Sequence, residues 1–208
     1  MLKANAIGCE RENRSLFSNL TFELEPGTLL AVTGNNGAGK SSLLRILSGL
    51  VCPTSGSVSW QGQVIKPGSS FFSSHLYIGH KIGIQPALTP LENLQWLLGI
   101  NDTAKSPLSS SQMRSAINAV GLAGFEDYPC ENLSLGQRQR VALARLWLNA
   151  PTCWILDEPF TGLDDKGREV LQNRIREHVQ IGGIVVLASH VTLEDFPCQK
   201  QTLYLGSV

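Results

Sequence analysis

A chain of 208 residues has room for one well-buried domain with a subdomain inserted in it. Apolar residues make up 42% and charged ones 16%, and Lys+Arg balances Asp+Glu at 17 each, which argues against an electrostatic nucleic-acid binder or an acidic tail. Five scattered cysteines (Cys9, Cys52, Cys130, Cys153, Cys198) form no C-x-x-C pair and read as free thiols of a reducing compartment. The N-terminal Met1-Leu2-Lys3-Ala4-Asn5 lacks the apolar core of a signal peptide. No window reaches the ~18 apolar residues of a membrane span, so a cytosolic soluble domain is expected.

In chain order, Leu2 to Cys9 reads as an edge strand and Leu16 to Leu24 as a half-buried one, with Leu20, Phe22 and Leu24 alternating. Glu25-Pro26-Gly27 turns the chain into the buried strand Leu29 to Thr33. A helix through Leu43, Leu44, Ile46 and Leu47 should end near Gly49. Ser57 to Trp60 and Val64-Ile65 read as a hairpin, Leu76 to Ile78 as a short strand, and His75 as a loop residue. Thr89-Pro90-Leu91-Glu92 has the form of a capping box with proline at the first helical position. That helix runs to Gly99, Asn101 to Ser109 reads as a linker, and Met113 to Val120 marks a second helix stopped by Gly121. Gln137 to Leu148 reads as a third helix. Thr152 to Leu156 is a buried strand, Val170, Leu171 and Ile175 share one helical face, and Ile184 to Ala188 has the continuous apolar run of a buried parallel strand. Leu203 to Leu205 reads as a last edge strand. Residues 1–78 and 151–208 thus form a strand-rich core with an antiparallel part, and about 79–150 a helical insertion.

The chemistry starts at Gly34-Asn35-Asn36-Gly37-Ala38-Gly39-Lys40-Ser41-Ser42, which lies between strand and helix and fits G-x-x-x-x-G-K-[ST]. Glycines let successive amides curl round an anion without Cβ collisions, and the helix N-terminus adds partial positive charge. Lys40 brings a full charge to the β- and γ-phosphates, Ser41 a hydroxyl for Mg²⁺, and Ser42 a hydrogen bond to a phosphate oxygen. Trp154-Ile155-Leu156-Asp157-Glu158 delivers two carboxylates at the end of a strand, where ligands bind in open α/β sheets. Asp157 is read as the Mg²⁺ holder and Glu158 as the base that polarises water. Such a pair suffices for phosphoryl transfer, which asks for positioning and charge neutralisation.

Leu133-Ser134-Leu135-Gly136-Gln137, just before a helix, resembles the L-S-G-G-Q signature of ABC ATPases. The motifs that follow keep the family's order over essentially the whole chain. The resemblance implies an α/β phosphate-loop NTPase fold with a RecA-like core, an antiparallel β subdomain and an inserted helical subdomain. It also implies that Ser134, Gly136 and Gln137 serve the nucleotide of a second copy, two protomers enclosing two ATP molecules. Taken alone, Ser134 reads first as a plain helix cap, and the family context brings the signature reading forward. Thr161-Gly162-Leu163-Asp164 resembles the D-loop, and His190 resembles the switch histidine that meets the γ-phosphate. Stretches such as Ile78-Gly79-His80, Leu88 to Leu94 and Val141 to Leu148 resemble the branch of ATP-binding subunits that serve bacterial cytochrome c biogenesis and haem export. That likeness implies integral membrane partners docked around residues 79–130, a peripheral place on the cytoplasmic face of the inner membrane, and no direct haem contact. A soluble family member acting on nucleic acid or ribosomes, and an ATP-gated dimerisation switch with little turnover, stay open as alternatives.

Three departures from the family pattern stand out. Spacing back from Leu91-Glu92-Asn93 puts His80, rather than Gln85, at the position of the family's Q-loop glutamine. A neutral imidazole there still offers one acceptor towards Mg²⁺ or water, whereas protonation removes it. Leu135 replaces the first signature glycine, so close backbone approach is not expected at Leu135, while Gly136 still allows it. The adenine-stacking aromatic is missing near the N-terminal turn, where Arg11 stands instead and Phe17 is expected to point into the core. A guanidinium stacks on any base, so weak base discrimination is expected.

Overall fold

The structure, a computed structural model, describes residues 1–66, 69–100, 108–148, 151–189 and 199–206. The chain divides into two compact units, the first made of Met1–His80, Thr152–Glu158 and Arg176–Val208. In chain order its elements are β1 (Leu2–Arg11), β2 (Arg14–Leu24), β3 (Thr28–Gly34), α1 (Lys40–Leu47), β4 (Ser55–Trp60), β5 (Gln63–Val64), β6 (His75–Ile78), β7 (Cys153–Asp157), β8 (Ile184–Ala188) and β9 (Gln199–Leu205). They form two sheets: an antiparallel one in the order β2-β1-β4-β5 and a five-stranded one in the order β6-β7-β8-β3-β9. Every pairing in the second is parallel. Its inner strands β7 and β8 are buried at all five positions, which is why they read as unbroken apolar runs rather than alternating ones. The buried face of α1 (Leu43, Leu44, Ile46, Leu47) joins Leu30, Ile155 and Val186 of this sheet and Leu2, Leu24, Val58 and Trp60 of the other in a single core. This is the mixed-sheet phosphate-loop architecture expected from the sequence.

The second unit comprises Lys81–Pro151 and Pro159–Ile175. It holds α2 (Pro90–Ile100), α3 (Ser110–Ala119), α4 (Leu135–Leu143) and the first part of α5 (Asp165–Gln180). Leu94, Met113, Ile117, Leu122, Leu133 and Val141 form its core. Three helices open on reciprocal capping boxes: Thr89 with Glu92, Ser109 with Gln112, and Ser134 with Gln137. Each satisfies two orphan amides, and a cap of this kind contributes about 1 kcal/mol. Asn93, fully buried, ties the irregular segment before α2 to that helix. Its Oδ1 accepts from the Gln85 amide at 2.7 Å, and its Nδ2 reaches the carbonyls of Gln85, Leu88 and Thr89 at 3.0–3.2 Å.

Three expectations need correction. β1 is no edge strand: it pairs with β2 on one side and β4 on the other. His75 is not a loop residue but opens β6, its ring stacked on Phe71 (centroids 4.3 Å apart) and Nδ1 2.9 Å from the Phe71 carbonyl. The third helix starts two residues early, at Leu135, and after Leu143 tightens into a 3-10 turn over Ala144–Trp147. The linker expected at 101–109 lies outside the described residues except for its last two positions, where Ser109 caps α3. Among the described residues no helix is long and apolar enough to cross a membrane.

Candidate nucleotide site

The phosphate loop is shaped by glycines at both ends. Gly34, the last residue of β3, has φ +141° and lies so close to the Leu205 carbonyl that a Cβ has no room. Gly39 caps α1 at φ +96°, and a Cβ on it would stand 3.1 Å from Leu16 and 3.2 Å from the Phe17 ring. Only glycine meets both demands. Between them the Ala38 amide donates to the Asn35 carbonyl at 3.1 Å, and the Leu43 amide to Gly39 at 2.8 Å starts the helix. Asn35, Asn36 and Gly37 are exposed, Ala38 is buried, Ser41 is exposed and Ser42 half-buried. No side chain caps α1 and its first turn holds no acidic residue, so no carboxylate of its own competes for those amides. Lys40 is only 9% exposed, and its Nζ bonds the carbonyls of Gly34 (2.8 Å) and Asn35 (3.2 Å), spanning the mouth of the loop. Burial raises the Cys9 thiol, against smaller lowering effects of the Arg11 charge and of a hydrogen bond with Ser42.

The carboxylates lie on the same edge of the sheet. Asp157 ends β7 level with Ala188 of β8, and Ala188 is level with Val32 of β3, two residues before the loop. One strand therefore intervenes, a separation of roughly 10 Å between the β3 and β7 backbones. Asp157 is 3% exposed, and its Oδ2 is buried without a hydrogen-bond partner among the described residues. A buried, unanswered carboxylate oxygen is costly, and a hard cation at this edge would satisfy it. The donors fit Mg²⁺, which takes one or two protein oxygens and completes its shell with phosphate and water. Among the described residues no cluster of three His, Cys, Asp or Glu could hold a metal by itself. Tyr77 on β6 feels the charge of Asp157. Its hydroxyl is raised chiefly by burial, lowered by a hydrogen bond from Arg45 and raised again by that carboxylate. Neither Tyr77 nor Arg45 was visible as a neighbour in the sequence, because only the β6–β7 register brings Tyr77 alongside.

Glu158 leaves the sheet in the left-handed region at φ +52°, half-buried, with its amide donating to Ala188 at 2.9 Å. A side chain in this region costs about 1–2 kcal/mol, and such strain gathers at functional sites. His80 is exposed, two residues beyond β6. Arg11 is exposed at the end of β1, and Phe17 is buried in the core as expected. His190 lies outside the described residues.

In the second unit Ser134 is the N-cap of α4. Its Oγ accepts from the Gln137 amide at 3.2 Å, and Gln137 Oε1 accepts from the Ser134 amide at 2.8 Å. Cap and anion donor are compatible, since the hydroxyl accepts one bond and keeps its proton to give. The box uses the Gln137 Oε1 alone. Leu135 is 66% exposed. Gly136 lies against the Thr161–Asp164 turn, where a Cβ would strike the Gly162 carbonyl.

Residues 17–161 match the model of the ABC transporter family. The chain is 47% identical over 205 residues to the cytochrome c biogenesis ATP-binding export protein CcmA of Pseudomonas syringae pv. tomato, covering 99% of this chain and 95% of that one. It is 48% identical over 194 residues to the protein of the same name from Escherichia coli K12, with 93% and 90% covered. Its fold superposes on a bacterial ABC transporter cassette solved as a dimer, with a TM-score of 0.83 and 24% identity over 100% of this chain and 95% of that one.

Proposed function

The chain belongs to the ABC transporter family of ATP-binding domains, and on that premise we propose that it is the ATP-hydrolysing subunit of an export complex serving cytochrome c biogenesis. The near-full-length identity to relatives bearing that name supports the pathway. One observation carries the site: the buried, unpartnered oxygen of Asp157 sits on the sheet edge that launches the phosphate loop.

Gly34 to Gly39 wrap the phosphates of ATP with backbone amides, Lys40 exchanges its carbonyl bonds for the β- and γ-oxygens, and the Ser42 hydroxyl adds a further donor. Ser41 and Asp157 would hold Mg²⁺, which would supply neutralisation of the charge developing on the phosphate oxygens. Glu158 accepts a proton from the attacking water as the γ-phosphoryl group leaves ADP, giving ADP and phosphate. His80 offers an acceptor to that water, His190 a donor to the γ-phosphate, and Arg11 a flat cation against the base. The Ser134 hydroxyl and the amides around Gly136 and Gln137, at the tip of α4, face the nucleotide of a second copy. ATP closes the homodimer and hydrolysis opens it. That cycle drives integral membrane subunits docked around residues 79–130, with the chain held peripherally at the cytoplasmic face of the inner membrane. Neither nucleic acid nor haem is bound directly.

The test is Glu158→Gln. Loss of the general base should lower kcat by about 10²–10⁴-fold while MgATP is still bound, trapping a dimer visible by sedimentation. A variant that binds MgATP yet stays monomeric would overturn the reading.

A further inference from the structure

We infer that Arg140 is a positioning residue: it locks the serine-bearing tip of α4 to the Thr161–Asp164 turn, so that the group offered to a second copy is held by the segment that follows Glu158 in the chain. The inference rests on the dimeric reading above and adds to it the device that sets the tip.

Gly136, Gln139 and Arg140 stand three and four residues apart, hence on one face of α4. Each meets the segment 159–164. Gly136 lies against the Gly162 carbonyl with no room for a Cβ, Gln139 Nε2 donates to the Pro159 carbonyl at 3.4 Å, and Arg140 Nη2 pairs with Asp164 Oδ1. The guanidinium is not loosely draped. Its side chain is 19% exposed, and Nη1 is anchored on the Val120 carbonyl at 3.3 Å. Two glycines leave the slot it fills: a Cβ on Gly121 would stand 2.8 Å from Nη1, and one on Gly167 3.1 Å from Nη2. Asp164 is fixed from the other side, because its Oδ1 also accepts from the Gly167 amide at 2.8 Å and so caps α5. That amide first, and Arg140 after it, hold the Asp164 carboxyl below the usual range.

The Asp164 end of the pair is 65% exposed, so the charge there contributes little to stability. The value of the pair lies in orientation, since a phosphate donor must be placed within a few tenths of an ångström. The pair's loss should therefore be felt in dimer closure and hardly at all in folding.

The experiment uses the full chain with Glu158→Gln as parent, and adds Arg140→Gln, Asp164→Asn or Gly167→Ala. Asparagine keeps an oxygen for the Gly167 amide while removing the charge. Alanine at 167 is the better helix former, yet its Cβ would press on the Asp164 carboxylate at 2.9 Å and on the guanidinium. Each change should weaken MgATP-dependent dimerisation about 10-fold, and Arg140→Gln with Asp164→Asn together no more than either alone. Binding of a fluorescent ATP analogue to the monomer should stay at parental values in all three, and melting without nucleotide should stay at the parental value in Asp164→Asn, with Gly167→Ala melting no lower. Undiminished dimerisation in Arg140→Gln and Gly167→Ala would overturn the inference alone, as would additive losses, or losses matched by equal losses of nucleotide binding. A parent that fails to dimerise would remove the dimeric reading and the inference with it.

Discussion

The backbone at Glu158 gives a prediction that separates stored strain from chemistry. At φ +52° any residue with a Cβ is penalised by about 1–2 kcal/mol, whereas glycine is not. Glycine returns about 0.5–1 kcal/mol of this through its greater freedom in the unfolded chain. Comparing Glu158→Gly with Glu158→Ala removes the carboxylate and all its contacts from both arms and keeps the Glu158–Ala188 backbone bond in both. Glycine should therefore be the more stable by about 0.5–1 kcal/mol. For a chain of this size that is roughly 1–4 °C in melting temperature. Thermal unfolding without nucleotide, followed by circular dichroism, reads the difference, and urea titration checks it. Both proteins should be equally inactive in hydrolysis. Equal melting temperatures, or alanine the more stable, would refute the claim that Glu158 is held in a strained backbone.

Further consequences are open to direct measurement. Burial pushes the His75 imidazole below its ordinary value, against a smaller opposing effect of the Phe71 carbonyl. Its contribution to stability is thus present above about pH 6.5 and is lost as pH falls towards the folded value. His75→Phe should lose less melting temperature between pH 7.5 and 5.5 than the unaltered chain, and an identical acid loss would count against this. Brief alkylation with peptide mapping should find exposed Cys52 modified well before Cys9, Cys130 or Cys153, since burial raises all three thiols and takes Cys153 to about 12. Early labelling of Cys153 would contradict the fold. His80→Ala should lower kcat while MgATP binding stays at the parental value, and an unchanged kcat would remove His80 from the water's surroundings.

The phosphate loop was legible because its geometry is local: the glycines, Lys40 and the helix start all fall within nine residues. The strand before Asp157 was equally plain, since the run Trp154 to Leu156 has no polar residue to place on a solvent face. What escaped was order across the sheet. The runs at 29–33, 153–157 and 184–188 are interchangeable as sequence, so nothing local says that β8 lies between β3 and β7. The central place of β1 escaped for the same reason, since its partner β4 lies some 50 residues away. One trace was present, because a Cβ on Gly8 would stand 2.6 Å from Ser55 Oγ, where β4 crosses. The break after Leu143 left no mark at all: Ala144-Arg145-Leu146 are good helix formers, and the tightening comes from tertiary packing. In the signature, the sequence allows Ser134 two roles, and its observed cap leaves the second available.

Asn93 sets the backbone course of residues 85–89 from within α2, answering one amide and three carbonyls with a single side chain. Aspartate would bring no donor to those carbonyls, and glutamine would overreach by a methylene. The outward side chains of that stretch are thereby released from any duty to the fold. Exposed residues such as Gln85 and Ala87 can be exchanged while the main-chain route underneath stays put.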